Sequence, residues 1–474
     1  LTGLFKITIL TVRFCKILIE KSEEKGKQMI SKWKKKLRRA SDRKCQKGII
    51  LRRRKNKRRR NLKALKGAEI YPNRVFYFLR EKGFGKEKII GKKLGYKKVL
   101  KVPSIFSISE NPEETIAFLQ KLYYYGSRSD IKEIHIDHSE CYCLEIAAST
   151  IMDVIVLAIK EYHRKNKKNI EFSGTIPAEG KVKDVFMASG LAAHMDLNMD
   201  AGILMNWHNI KRFKLISGYH YSQISDITAT KLAEYIIECM NTQGYTLNGK
   251  GKNILGTLFG EVLDNCEIHG GEQTTWFALG HYQQNVQVDS YGEVQLVIFD
   301  FGNTIYEQLK EKTTSSKTRE KLEFLSKEHE KFYNKNWTEE MLYTLFSLQE
   351  GISRLKDDKV EGNRRRGTGT VRLINNFQLI GQTNENKTPL MSITSGHTHI
   401  CFDGTYKLKS QMVEDKELGN EQRRIIAFNE KNDIFQPPDG RYVKYINTFF
   451  PGTVISLKFY FDREYLTQIM ENKR

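Results

Sequence analysis

Residues 1–66 hold 25 Lys+Arg against 4 Asp+Glu, a net of +21 in a chain whose total is +23. A segment so charged repels itself and cannot bury a core, so folding is confined to the remaining 408 residues, which carry only +2. The chain is therefore a nearly neutral globular protein behind a basic arm. With 39% hydrophobic and 11% aromatic residues over 474 positions, it has material for two or three cores. No apolar run approaches the roughly 18 residues of a membrane helix, so no membrane partner is expected.

The arm itself (1–66) is expected to be disordered. Its densest part, 29–66, reads either as a nucleic-acid contact working through phosphate neutralisation or as a solvated tail. Trp33 is the only aromatic among those charges, so base stacking is not supported. Lys6, Arg13 and Lys16 interrupt the apolar residues of 1–20, which does not suit a signal peptide; the expectation is a native start later, at Met29. Seven scattered cysteines without framework spacing suit a reducing cytoplasm. Cys141 and Cys143 form a C-x-C pair without a second ligand pair, a poor metal site.

From residue 70 the pattern alternates between strand and helix. Val102–Ser107 reads as a strand. Asn111-Pro112-Glu113-Glu114 opens a helix with a cap residue, proline in the first turn and two acids. Ile131–Asp137 is a strand, Leu144–Tyr162 a long helix apolar enough to be buried, Asn169–Ser173 a strand and Val182–Met195 a helix. This run, about residues 100–197, resembles a STAS domain. Regulatory STAS proteins carry a phosphorylatable serine where the helix after the strand opens. Here Cys143-Leu144-Glu145-Ile146-Ala147-Ala148 stands there instead.

The chemistry sits in the second half. A helix over Asn253–His269 has one apolar side (Leu255, Leu258, Phe259, Val262, Leu263, Cys266), while Glu261, Asn265 and His269 recur every four residues along one face. Gly270-Gly271 ends it. A carboxylate can orient or deprotonate an attacking water, and an amide oxygen suits Mg²⁺. Glu293–Phe299 then reads as a strand leading into Asp300-Phe301-Gly302-Asn303. A carboxylate there can accept from an adenine amine. Asp-Phe-Gly also occurs in protein kinases, but neither a Gly-rich loop with a strand lysine nor His-Arg-Asp accompanies it. Finally Arg366-Gly367-Thr368-Gly369-Thr370 runs into the helix Val371–Phe377, presenting backbone N–H groups and the cations Arg364–Arg366 to phosphate. His397 and His399 stand two apart on an expected strand, without a third ligand.

Taken in order, EVLDNCEIHGG, DFGNT and RGTGT resemble the ATP boxes of the gyrase, histidine-kinase and MutL superfamily (GHKL, the Bergerat fold), over about residues 225–462. The resemblance implies Glu261 as catalytic base, Asn265 as Mg²⁺ ligand, Asp300 and Gly302 at adenine, and Thr453 beside them on a closing strand. It also implies ATP as cofactor, a protein partner, and ATP-driven homodimers. Asn303 departs from the family pattern, which has a glycine there; asparagine is expected to tolerate the turn through positive φ.

The expected fold class is α/β (α+β). A basic tail (1–66) precedes a STAS-like domain (70–199), a connector (200–225) with strand content at Arg212–Ile216, and a two-layer ATP-binding sandwich of mixed sheet and helices (226–465). The last has a lid at 305–366 and a second insertion at 404–450. Three functions stay open: an ATP-hydrolysing regulatory protein, a serine or histidine protein kinase of the anti-sigma-factor type, and a nucleotide-sensing scaffold or nucleic-acid binder.

Overall fold

In the computed structural model the residues described are 71–85, 96–175, 177, 180, 182–183, 185–186, 210–247, 249–284, 291–350, 352, 371, 373–375, 377, 389–415 and 419–462. The chain divides into Leu1–Glu69 and Ile70–Arg474. The basic arm, the expected native start and most of the expected helix Val182–Met195 lie outside the described residues.

The order after residue 70 begins with α1 (Tyr71–Glu81), β1 (Lys97–Lys101), β2 (Ile105–Phe106), α2 (Pro112–Ser127) and β3 (Glu133–Asp137). Next are β4 (Cys143–Leu144), α3 (Ile146–Lys165) and β5 (Glu171–Thr175). β1, β3 and β5 pair in parallel in that order. Of the strand expected over Val102–Ser107 only Ile105–Phe106 forms; β1 lies before it and stops ahead of Pro103, which offers no N–H to a ladder. α2 starts where its cap, proline and acids dictate, although the Asn111 amide donates to Ile105 O (3.1 Å) and Glu114 (2.9 Å) rather than accepting from the helix.

The second half contains β6 (Ile210–Tyr219), α4 (Ser225–Thr242), α5 (Gly249–Asp264), a π-helical turn (Asn265–His269), β7 (Thr275–Gln284) and β8 (Tyr291–Phe301). Helices α6 (Ile305–Lys310), α7 (Ser316–His329) and α8 (Glu339–Phe346) come next, then β9 (Leu390–Phe402). The hairpin β10 (Lys409–Asp415)–β11 (Gly419–Ile425) and the long β12 (Val443–Asp462) complete the order. Five strands form an antiparallel sheet, β6-β7-β8-β12-β9. The class is thus mixed, α+β, with a parallel small sheet and an antiparallel large one.

The large sheet is buried on both faces. Trp276, Ala278, Leu296 and Ile298 join a core with α4 and α5. Their neighbours Phe277, Val297, Phe299 and Phe301 join a different core with α2 and α3. That is why every residue of β8 is buried and why α3, lying between two sheets, is buried nearly all round. Polar ties cross the same interface. Glu145, at the start of α3, accepts from Ser107 Oγ (2.7 Å), Ser109 N (2.9 Å), Ser109 Oγ (2.6 Å) and Ser456 Oγ on β12. Ile146 N donates to Gln295 Oε1 on β8 (3.1 Å).

Three boundaries differ from the expectation. Segment 200–225 belongs with the second half, since the strand expected at Arg212–Ile216 is β6, the edge of the large sheet. The insertion 404–450 ends inside β12, whose first pairs with β9 begin at Val443. The expected lid 305–366 begins as core, with Leu309, Leu322, Met341 and Leu345 packed among the α4–α5 residues. Among the described residues no helix is long and apolar enough to cross a membrane.

Because one sheet closes both cores, the two halves should unfold together. Phe299→Ala, which empties a fully buried site, should cost about 3–5 kcal/mol. Thermal unfolding of the full chain should then move as one transition; a shift in only one of two separate transitions would contradict a shared core.

Candidate functional site

The first box is built where α5 changes pitch. Its apolar residues, from Leu255 to Cys266, face the sheet as the spacing requires. At Asn265 the α-helix passes into the π turn, so Glu261, Asn265 and His269 are not on one uniform helical face. Glu261 is half-buried and Asn265 exposed, while the side chain of His269 lies outside the described residues. Gly270 is still right-handed; Gly271, at φ 92°, makes the left-handed turn.

The turn is held by a residue that carried no signal in the sequence. Glu267 is buried and accepts from the backbone N–H groups of Gln223 (2.5 Å) and Ser225 (3.1 Å) and from Trp276 Nε1 (3.3 Å). It thereby satisfies orphan donors at the start of α4.

The second box meets the first through Asp300. On β8 it faces the α5 side, and its Cα is in register with Thr453 on β12. Asp300 is 2% exposed, and among the described residues its Oδ1 has no hydrogen-bond partner. The Cys266 thiol and the Thr453 backbone N–H reach the carboxyl, but burial dominates and pushes its pKa up to about 8. Asp300 in turn helps hold the buried Cys266 thiol well above its usual range, after the larger effect of burial. Nearby, Thr274 Oγ1 is also buried without a partner.

These two orphaned atoms converge on Gly302. A Cβ there would stand 2.6 Å from Thr274 Oγ1 and Gly270 O and 2.8 Å from Asp300 Oδ1. Glycine is required for space, not for backbone hand, since neither Gly302 nor Asn303 has a positive φ. The expectation that Asn303 makes a left-handed turn is thus corrected. Its N–H donates to Gly270 O (2.7 Å) and its amide to Glu311 Oε1 (3.0 Å), locking the two boxes together.

Thr453 is buried and reaches Ser395 Oγ on β9 (3.2 Å), which also accepts from Ile305 N (2.9 Å) and donates to Gly452 O (2.9 Å). Ser395 carried no signal in the sequence either, because its role depends on strand order. The third box, Arg366, Gly367, Thr368, Gly369 and Thr370, with Arg364 and Arg365, lies outside the described residues. Leu373, Ile374 and Phe377 just after it are buried in the α4–α5 core.

The two histidines on β9 serve the sheet. His397 donates through Nδ1 to Ile446 O (2.9 Å), and His399 is buried with Nδ1 against Thr394 Oγ1 (2.9 Å), its pKa pushed down to about 4 by burial. Among the described residues no three His, Cys, Asp or Glu side chains converge to hold a metal. Compared with known proteins, the chain matches no family model, no curated protein and no solved structure.

The buried Asp300 sets a pH dependence. Its ordinary pKa is 3.8 and its folded value about 8, so between these limits the folded state holds a proton that the unfolded state has lost. Its contribution to stability is present below pH 4, declines as pH rises, and is flat above about pH 8. Asp300→Asn, neutral at every pH, should therefore gain on the wild type across this window, by roughly 2–4 °C in Tm at pH 8. An Asn variant less stable at all pH values would mean that the carboxyl is a structural acceptor.

Proposed function

We propose that residues 210–462 bind an adenine nucleotide with Mg²⁺ and hydrolyse it, as a regulatory ATPase of the GHKL type with a Bergerat fold, joined to a STAS-like layer. One observation carries this reading. At the end of a fully buried strand, a carboxyl oxygen and a hydroxyl are left without partners beside a glycine that no side chain could replace. Burying polar atoms unpaired costs about 1–3 kcal/mol each, a cost a binding site recovers when its ligand arrives. A carboxyl oxygen left open here accepts from an N–H donor, such as the exocyclic amine of adenine, and that donor stabilises the ionised form that burial disfavours. Phosphate belongs at the other end of the ligand, with the backbone and guanidinium donors of Arg366–Thr370.

In this reading Asp300 accepts from the adenine amine, Gly302 lets the base approach the backbone, and Thr453, steadied by Ser395, lines the same edge. Asn303 keeps the turn in place. His269, the last residue of the first box before its glycines, counts among the nucleotide-binding residues. Asn265 offers an exposed amide oxygen, and Glu261 a carboxylate one turn before it; this donor set fits Mg²⁺, which would neutralise the triphosphate charge. Glu261 orients the attacking water and takes up its proton.

Purified protein should release phosphate from Mg-ATP. Glu261→Ala should slow release about 10²–10³-fold while nucleotide affinity stays within about threefold. Unchanged turnover in that variant would remove Glu261 from the chemistry. Label from the γ-phosphate appearing on protein instead of in solution would make the enzyme a kinase.

A further inference from the structure

Lys82 comes from outside the nucleotide-binding half yet reaches its second box. It is the first residue after α1, fixed by a helix-ending motif in which Phe84 N bonds Leu79 O (2.9 Å) and Gly83 N bonds Arg80 O (3.2 Å), with Gly83 at φ 70°. α1 is seated on the N-terminal layer, where Phe76 stacks on Tyr162 at 3.8 Å and its carbonyl accepts from Tyr123 (2.7 Å). From this fixed point the ammonium donates to both oxygens of Glu307 (2.8 and 2.9 Å) and lies 3.4 Å from Asn303 Oδ1.

Both partners shape the turn after Asp300. Glu307 forms a reciprocal capping box with Thr304, setting the start of α6. Asn303 binds the end of the first box through Gly270 O. A cation on the N-terminal layer thus grips the two residues that place Gly302.

We infer that Lys82 is a positioning residue for the base pocket, through which the seating of α1 controls adenine affinity. The inference rests on the nucleotide-binding reading above. Coupling is reciprocal: whatever holds α1 in place tightens the pocket, and a bound nucleotide tightens α1. Lys82 touches no phosphate in this scheme. Its loss should therefore weaken adenosine and ATP alike.

The test is calorimetry of the full chain with adenosine and with Mg-ATP. Lys82→Met should raise Kd for both ligands about three- to tenfold, and Lys82→Arg should restore it. In an Asn303→Gly, Glu307→Ala background, where both grips are cut, Lys82→Met should change Kd less than twofold. Nucleotide should also slow amide exchange of residues 82–85 in the wild type but not in Lys82→Met. Wild-type binding with an unchanged Kd in Lys82→Met overturns the inference alone, as does a loss seen only with ATP, which would make Lys82 a phosphate ligand. A wild type that binds neither ligand overturns the nucleotide-binding reading and this inference with it.

Discussion

The two-sided burial of β8 organises everything else. Its even-numbered residues Val294–Ile298 pack towards α4 and α5, and its odd-numbered residues Val297–Phe301 towards α2 and α3. A strand covered on both faces cannot shift register without moving two cores. The end of that strand is therefore among the best-fixed points in the molecule, and it is there that Asp300 stands. A rigid element is where a functional side chain can be held to a fraction of an ångström.

That fixed position explains how the unfavourable electrostatics survive. A buried acid with an unpaired oxygen would ordinarily be relieved by a small shift of backbone or by admitting water. Here the strands on either side, β7 and β12, and the turn locked by Asn303 leave no such freedom. Strain of this kind persists where the surroundings over-determine it, and such places are commonly functional. Cys266, which reaches the Asp300 carboxyl, and Thr274, which closes on Gly302, lie on the turn and loop that come after α5.

Much of this is readable from the residues. Asn-Pro-Glu-Glu marks the start of α2, an apolar run with few polar interruptions marks α3 as buried, and the spacing of Leu255 to Cys266 gives the sheet-facing side of α5. Glu261 stands on α5, Asn265 opens the π turn and Asp300 lies near the end of β8. What is not readable depends on pairing between distant strands. The strand at Arg212–Ile216 is legible, but that β6 pairs with β7 at the edge of the large sheet is not, because periodicity does not name a strand's neighbour. Ser395 acquires its role only because β9 lies beside β12. Lys82 and Glu307 are 225 residues apart and each looks like an ordinary surface charge. The π turn at Asn265 is likewise invisible to a periodicity of 3.6. The STAS-like and ATPase-like stretches read as separate domains because apolar residues on a strand do not say which neighbour covers them. Glu145, one more ordinary acid in the sequence, fastens one half to the other through Ser456.

The account stands on the claim that the pocket around Asp300, Thr274 and Gly302 exists to take the amine edge of an adenine nucleotide. The most direct measurement is titration calorimetry of the full chain with Mg-ADP, in parallel with Mg-GDP. Above pH 8, where the carboxyl is ionised, the account predicts one-to-one association with the adenine nucleotide and none with the guanine nucleotide, whose six-position carbonyl would face the carboxylate. No heat with either, or equal affinity for both, would contradict it.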